Sequence, residues 1–326
     1  LWGSGLFFGA SWAAEKYFKI ERTGQAFYIL GSVFLFLTIL AAGYFGLLGP
    51  EFILKGENRY RVLLAGSIAT EIALFSKIRR FHNKVYTQAC LWGMTVSMCF
   101  LMGALKLEWP DCMNGMMYYS FLLIGGNEVY RRKSGLQGSM NAPADRFIDE
   151  FMGEFGLFAA LQFWIISGMM AYKAVAGGIG FIIGILFLGI WEVTFWDTLA
   201  FGLMAAGTAL VALRRRSPEM KMLHSLTMMI FFQYAGFCIP VDFTYQVFLG
   251  AAMTAVWFLA ERRFKNPLNN LAGGCVFSAV LAIDMAVLLL DMLFSRDSLG
   301  NQLAASAVVI LLAAVMAEWG RPVCWR

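Results

Sequence analysis

The chain has 326 residues, of which 60% are apolar and 14% charged. A soluble domain carries about 25% charged residues and even a 300-residue fold leaves about a quarter of its chain surface in water. This composition therefore excludes a soluble enzyme, a nucleic-acid reader and a disulfide scaffold. The apolar residues fall in blocks of about 15 to 25 separated by short charged clusters, the pattern of helices that cross a bilayer. The expected class is an all-α integral membrane protein with about ten to twelve transmembrane helices in tandem hairpins.

In chain order, an apolar fragment at 1–14 is followed by predicted spans at 24–48, 61–77, 86–105 and 113–130. A polar stretch at 131–154 follows. Further spans are predicted at 155–172, 174–191, 196–213, 223–240, 243–260, 271–293 and 302–319. This groups the chain as N-terminal hairpins over 1–130, a cytoplasmic loop with an amphipathic helix over 131–154, and C-terminal helices over 155–326. The opening LWGSGLFFGASWAA has no basic leader and reads as the end of a longer helix rather than a signal peptide.

The formal net charge is +5. Of the 26 Lys and Arg, 20 lie in six clusters: 16–22, 77–84, 131–146, 214–221, 262–265 and 321–326. Each cluster flanks an apolar block, so the excess is a topology signal that places those loops in the cytoplasm, and no nucleic-acid partner is expected. The intervals from Arg80 to Arg131, Arg216 to Arg262 and Lys265 to Arg321 each fit one hairpin. The interval from Lys133 to Arg214 does not, because three crossings cannot join two loops on one side. The sequence leaves two solutions: a re-entrant or broken helix near 191–197, or a basic cluster on the opposite face. Non-helical backbone at that depth requires shielding by protein or a water-filled cavity. A weak repeat sets Arg22, Lys84 and Lys265 each nine residues before Gly31, Gly93 and Gly274. At 1.5 Å per residue each glycine lies about 13.5 Å deeper, where a small residue lets helices approach closely.

These hairpins, with GQAFYILGSVFLFLTILAAGYFGLLG and IRRFHNKVYTQACLWG, resemble a broad group of uncharacterised polytopic membrane proteins of Gram-positive bacteria. The resemblance implies a bacterial cytoplasmic membrane. It carries no diagnostic motif and no activity.

The chemistry-bearing candidates are ionisable residues at bilayer depth, where insertion costs several kcal/mol. Asp284 sits near the centre of FSAVLAIDMAVLLLDMLF, with Asp291 on the same helical face seven residues on. The pair suits a proton or cation relay, and Asp284 suits equally a hydrogen bond to a neighbouring helix. Glu71 lies deep in VLLAGSIATEIALFSK, where desolvation disfavours a charged carboxylate. Glu192 and Asp197, flanked by Trp191 and Trp196, line a cavity at a helix break or form an interfacial turn. Asp145, Asp149, Glu150 and Glu154 have the spacing of a divalent-cation site but also of a solvated helix face. Glu128 is expected to pair with Arg132. Six cysteines and two histidines show no ligand spacing, and no GxSxG or HExxH motif is present. No catalytic residue, cofactor or metal is expected.

The expected function is a transporter or flippase-like protein that moves a polar or lipid-linked substrate, coupled to a proton or cation through these acids. The alternative is a non-catalytic scaffold or complex subunit, with an enzyme third. The expected partners are the bilayer, an unknown small-molecule or lipid-linked substrate, and a membrane protein or second copy of the chain.

Overall fold

The computed structural model describes residues 2–81, 83–136, 143–187, 193–215, 217–263, 279–289, 300, 302–311 and 314. Among them every regular element is helical: α1 (Trp2–Lys16), α2 (Glu21–Tyr44), α3 (Arg59–Ser76), α4 (Lys84–Ala104), α5 (Trp109–Leu136), α6 (Pro143–Phe187), α7 (Phe195–Arg215), α8 (Pro218–Cys238) and α9 (Phe243–Arg263). Two shorter apolar helices follow, α10 (Ala279–Leu289) and α11 (Gln302–Leu311). Four segments are long and apolar enough to cross a membrane: Glu21–Tyr44, Lys84–Ala104, Phe147–Gly178 within α6, and Phe195–Arg215. The protein is thus an all-α membrane protein.

Helix ends follow local sequence chemistry. Asn83 Oδ1 accepts from the Tyr86 amide at 2.7 Å to start α4, and Ser217 Oγ accepts from the Met220 amide ahead of Pro218 in α8. At the end of α1 the Ile20 amide reaches back to the Ala14 carbonyl, a Schellman-type bond. That geometry puts Lys19 at φ +52°, in the left-handed region that usually takes glycine.

The predicted spans 155–172 and 174–191 are not separate. One helix of 45 residues runs from Pro143 to Phe187, about 68 Å at 1.5 Å per residue. It absorbs the amphipathic segment as well. The reason is the absence of a breaker: no proline occurs between Pro143 and Pro218, and Tyr172-Lys173-Ala174 is good helix sequence. The residues 188–192, where a re-entrant turn was expected to begin, lie outside the described set.

The chain divides into two compact units, Leu1–Ile165 and Ile166–Arg326. In the first, α1 to α4 pack sequentially as antiparallel neighbours. Ser11 Oγ of α1 donates to the Gly24 carbonyl of α2 at 2.7 Å, and the Tyr28 hydroxyl of α2 donates to the Ala73 carbonyl of α3 at 2.8 Å. The Tyr86 hydroxyl of α4 then donates to the Leu74 carbonyl at 2.7 Å. Tyr28, Phe81 and Tyr86 share an aromatic core with Cys90, Leu74, Phe75 and Ile78. Two glycines of the expected repeat are contact points. Gly31 lies under the Phe8 ring, and Gly93 lies under the Glu71 carboxylate. Gly274 is outside the described residues.

The second unit has its core at Met229, Val247, Ala251, Leu281, Val287 and Leu288, contributed by α8, α9 and α10. At its tightest point Gly236 of α8 faces Gly250 of α9. A Cβ on Gly236 would lie 2.6 Å from the Gly250 nitrogen and 2.7 Å from the Gln246 carbonyl oxygen. Backbone meets backbone there, the arrangement that small residues permit between helices in lipid.

Candidate functional site

Glu71 lies on the face of α3 that meets α4. The stripe opposite it on α4, at one-turn spacing, is Tyr86, Cys90, Gly93 and Ser97. Gly93 matters most, because any Cβ at that position would run into the Glu71 carboxylate. The carboxylate is within electrostatic reach of Tyr86, Cys90 and Tyr119. Glu71 Oε2 is buried and has no hydrogen-bond partner, and the same is true of Ser97 Oγ, while the Tyr119 hydroxyl and Thr95 lie within reach of each other. Buried polar atoms are ordinarily paired, and each unpaired one costs about 1–3 kcal/mol. The unpartnered Glu71 carboxylate oxygen of α3 thus lies against Gly93 of α4 and within reach of Tyr119 of α5, a polar spot among these three helices.

Asp284 is differently placed. It is 6% exposed on α10, and its Oδ2 accepts from Gln233 Nε2 of α8 at 3.1 Å. The same nitrogen donates its second hydrogen to Thr254 Oγ1 of α9 at 3.2 Å, and Thr254 Oγ1 donates to the Gly250 carbonyl at 2.8 Å. A Cβ on Gly250 would come within 3.1 Å of Gln233 Oε1, so glycine there leaves room for the amide. The network ties three helices together through Gln233. Replacing Gln233 by Ala removes the side chain that, among the described residues, joins Asp284 to Thr254 and is expected to lower stability by about 2 kcal/mol. Thr254→Val, which leaves the Asp284 bond in place, is expected to cost less than half as much. Unfolding in detergent, followed by tryptophan fluorescence, checks the order.

Asp197 is not a solvated interfacial acid. Its Oδ2 accepts from the Thr194 amide at 3.1 Å and the Thr194 hydroxyl at 2.7 Å, while the Asp197 amide donates to Thr194 Oγ1 at 3.2 Å. This reciprocal box caps α7. Its other oxygen takes the Lys173 ammonium of α6 at 2.5 Å, with both side chains 13% exposed. The expected turn is therefore a capped helix start, closed by a part-buried ion pair. Glu192 and Asp291 lie outside the described residues.

Two of the acids of 145–154 have separate partners. Glu154 accepts from Gln88 Nε2 at 2.9 Å and Asp149 from the Tyr130 hydroxyl at 3.4 Å. Glu128 pairs with Arg132 at 3.0 Å, as its spacing suggests. Among the described residues no group of three or more His, Cys, Asp or Glu side chains could hold a metal ion.

Glu71 and Asp284 belong to different units. The sequence picks out both acids but not their surroundings, Gln233 and Thr254 for Asp284 and Tyr119 for Glu71, nor the Lys173 partner of Asp197. Only the Thr194-x-x-Asp197 spacing was a usable signal, since it is the capping-box pattern ahead of an apolar run. No protein-family model, curated protein or solved structure matches the chain.

Proposed function

We propose that the protein is a multi-pass transporter or flippase-like protein of the cell membrane that moves a polar or lipid-linked substrate. Glu71 is the group that takes up and releases the coupling proton or cation. The observation that carries this reading is the buried, unpartnered Glu71 carboxylate oxygen, set against Gly93 and within reach of Tyr119. A structural acid at bilayer depth is normally satisfied by its neighbours, as Asp284 is. One left unsatisfied marks an ion or substrate path.

Topology in this reading is simple. With α6 as one crossing and α7 as its return, the basic clusters at 131–133 and 214–221 lie on one side without a re-entrant segment. Those clusters face the cytoplasm by the positive-inside rule.

The test is native mass spectrometry of gently solubilised protein, comparing wild type with Glu71→Gln and Gly93→Ala. The alanine drives the carboxylate from its seat but meets only the end of a flexible side chain, and it gains up to about 1 kcal/mol of helix propensity. Loss of a retained small molecule or lipid-linked species in both folded variants is the expected result. A stoichiometric protein partner, held equally by all three, would instead make the protein a scaffold or complex subunit. The satisfied Asp284 network and the Gly236–Gly250 contact favour that second reading.

A further inference from the structure

The two ends of the α1–α4 group carry very different charge. Hydrogen bonds from Tyr28 to Ala73 and from Tyr86 to Leu74 set the end of α3 beside the starts of α2 and α4. The Arg80–Glu15 pair at 3.0 Å adds the end of α1. Residues 15–22 and 77–84 therefore meet at one end, with seven Lys and Arg against two Glu, a net +5. The other end, residues 45–61 and 105–112, has four of each sign and no net charge.

The basic end is also built to face a headgroup layer. Lys16, Lys19, Arg22, Arg79, Arg80 and Lys84 are exposed. Glu15 is 3% exposed and holds Arg80 from behind, leaving the guanidinium half-open at 52%. Beside them Trp12, Tyr17 and Phe18 are 53%, 67% and 70% exposed, a ring of aromatic side chains at the depth where such rings favour the interface. The Lys16 ammonium rests 4.8 Å from the Trp12 ring centroid, which ties a cation to that ring. Lys19 keeps its place at a positive φ where glycine would be unstrained.

We infer that the basic end of α1–α4 is a docking surface for anionic phospholipid headgroups. The cations meet the phosphates, the aromatic ring lies alongside the glycerol region, and the acyl chains run along the apolar faces of the same helices. Clusters of four to eight Lys and Arg next to a membrane-spanning helix select anionic lipid.

The probe is native mass spectrometry of the full chain, delipidated in detergent and titrated with phosphatidylglycerol or phosphatidylcholine of matched acyl chains. Wild type is expected to retain phosphatidylglycerol preferentially. The triple variant Lys19→Gln, Arg79→Gln, Lys84→Gln leaves the Arg80–Glu15 pair intact and is expected to weaken that binding about a hundredfold. Lys55→Gln with Lys106→Gln, at the neutral end, is expected to leave it unchanged. Equal retention of the two lipids by wild type overturns the proposal without any variant. An undiminished preference in the triple variant overturns it as well, as does an equal loss at the neutral end.

Discussion

Lys173→Met is expected to lower stability by about 2–3 kcal/mol. The substitution keeps the length and apolar stem of the side chain but removes the ammonium that Asp197 Oδ1 takes, at a position 13% exposed. The capping contacts from Thr194 remain, and they bind a carboxylate without neutralising it. Adding Asp197→Asn to the same chain should recover most of the loss, because the carboxylate charge is then gone and an amide oxygen can still accept from Thr194. Asp197→Asn alone, which removes the carboxylate charge facing Lys173, should be nearly as damaging as Lys173→Met. Equilibrium unfolding of the three variants in detergent gives the comparison. A double variant no better than either single one would show that the pair acts through geometry rather than charge.

Gly236→Ala is expected to cost about 3 kcal/mol or more, at the upper end of overpacking effects. The new methyl would sit 2.6 Å from the Gly250 nitrogen and 2.8 Å from its Cα. Both atoms are backbone, so relief requires α8 and α9 to separate. Gly202→Ala is the control: its Cβ would meet the edge of the Phe231 ring at 3.1 Å, and a ring can rotate away. That variant should cost under about 1 kcal/mol, since only a few tenths of an ångström must be found. The separation in Gly236→Ala would also stretch the Gln233–Thr254 contact, so the loss should not add simply to that of Gln233→Ala.

Much of the helical layout was legible from hydropathy, because membrane-spanning segments are set by length and composition. The predicted 61–77, 86–105 and 196–213 correspond to α3, α4 and α7 within a few residues. The division at 172–174 was misplaced for a physical reason. A lone charge, Lys173, interrupts the apolar run between the predicted spans 155–172 and 174–191. In the structure it stays helical and is matched from α7 by Asp197, a partner 24 positions away. The same blindness affected Glu71. Its depth followed from the flanking Arg61 and Arg79, but the hydroxyls beside it come from other helices whose facing stripes only packing reveals. Gly93 was noticed as a repeat position without any sign that a carboxylate lay over it.

The unequal ends of α1–α4 also make this part of the chain an electrical object. In a membrane held at about 100 mV, one elementary charge moved across it is worth ~2.3 kcal/mol. Under the proposed reading, in which the two ends lie on opposite sides of the cell membrane, a net +5 at one end and zero at the other would make the two orientations differ by about 11 kcal/mol in that field. An energised membrane would then act as a latch on these helices, holding the direction in which they first inserted.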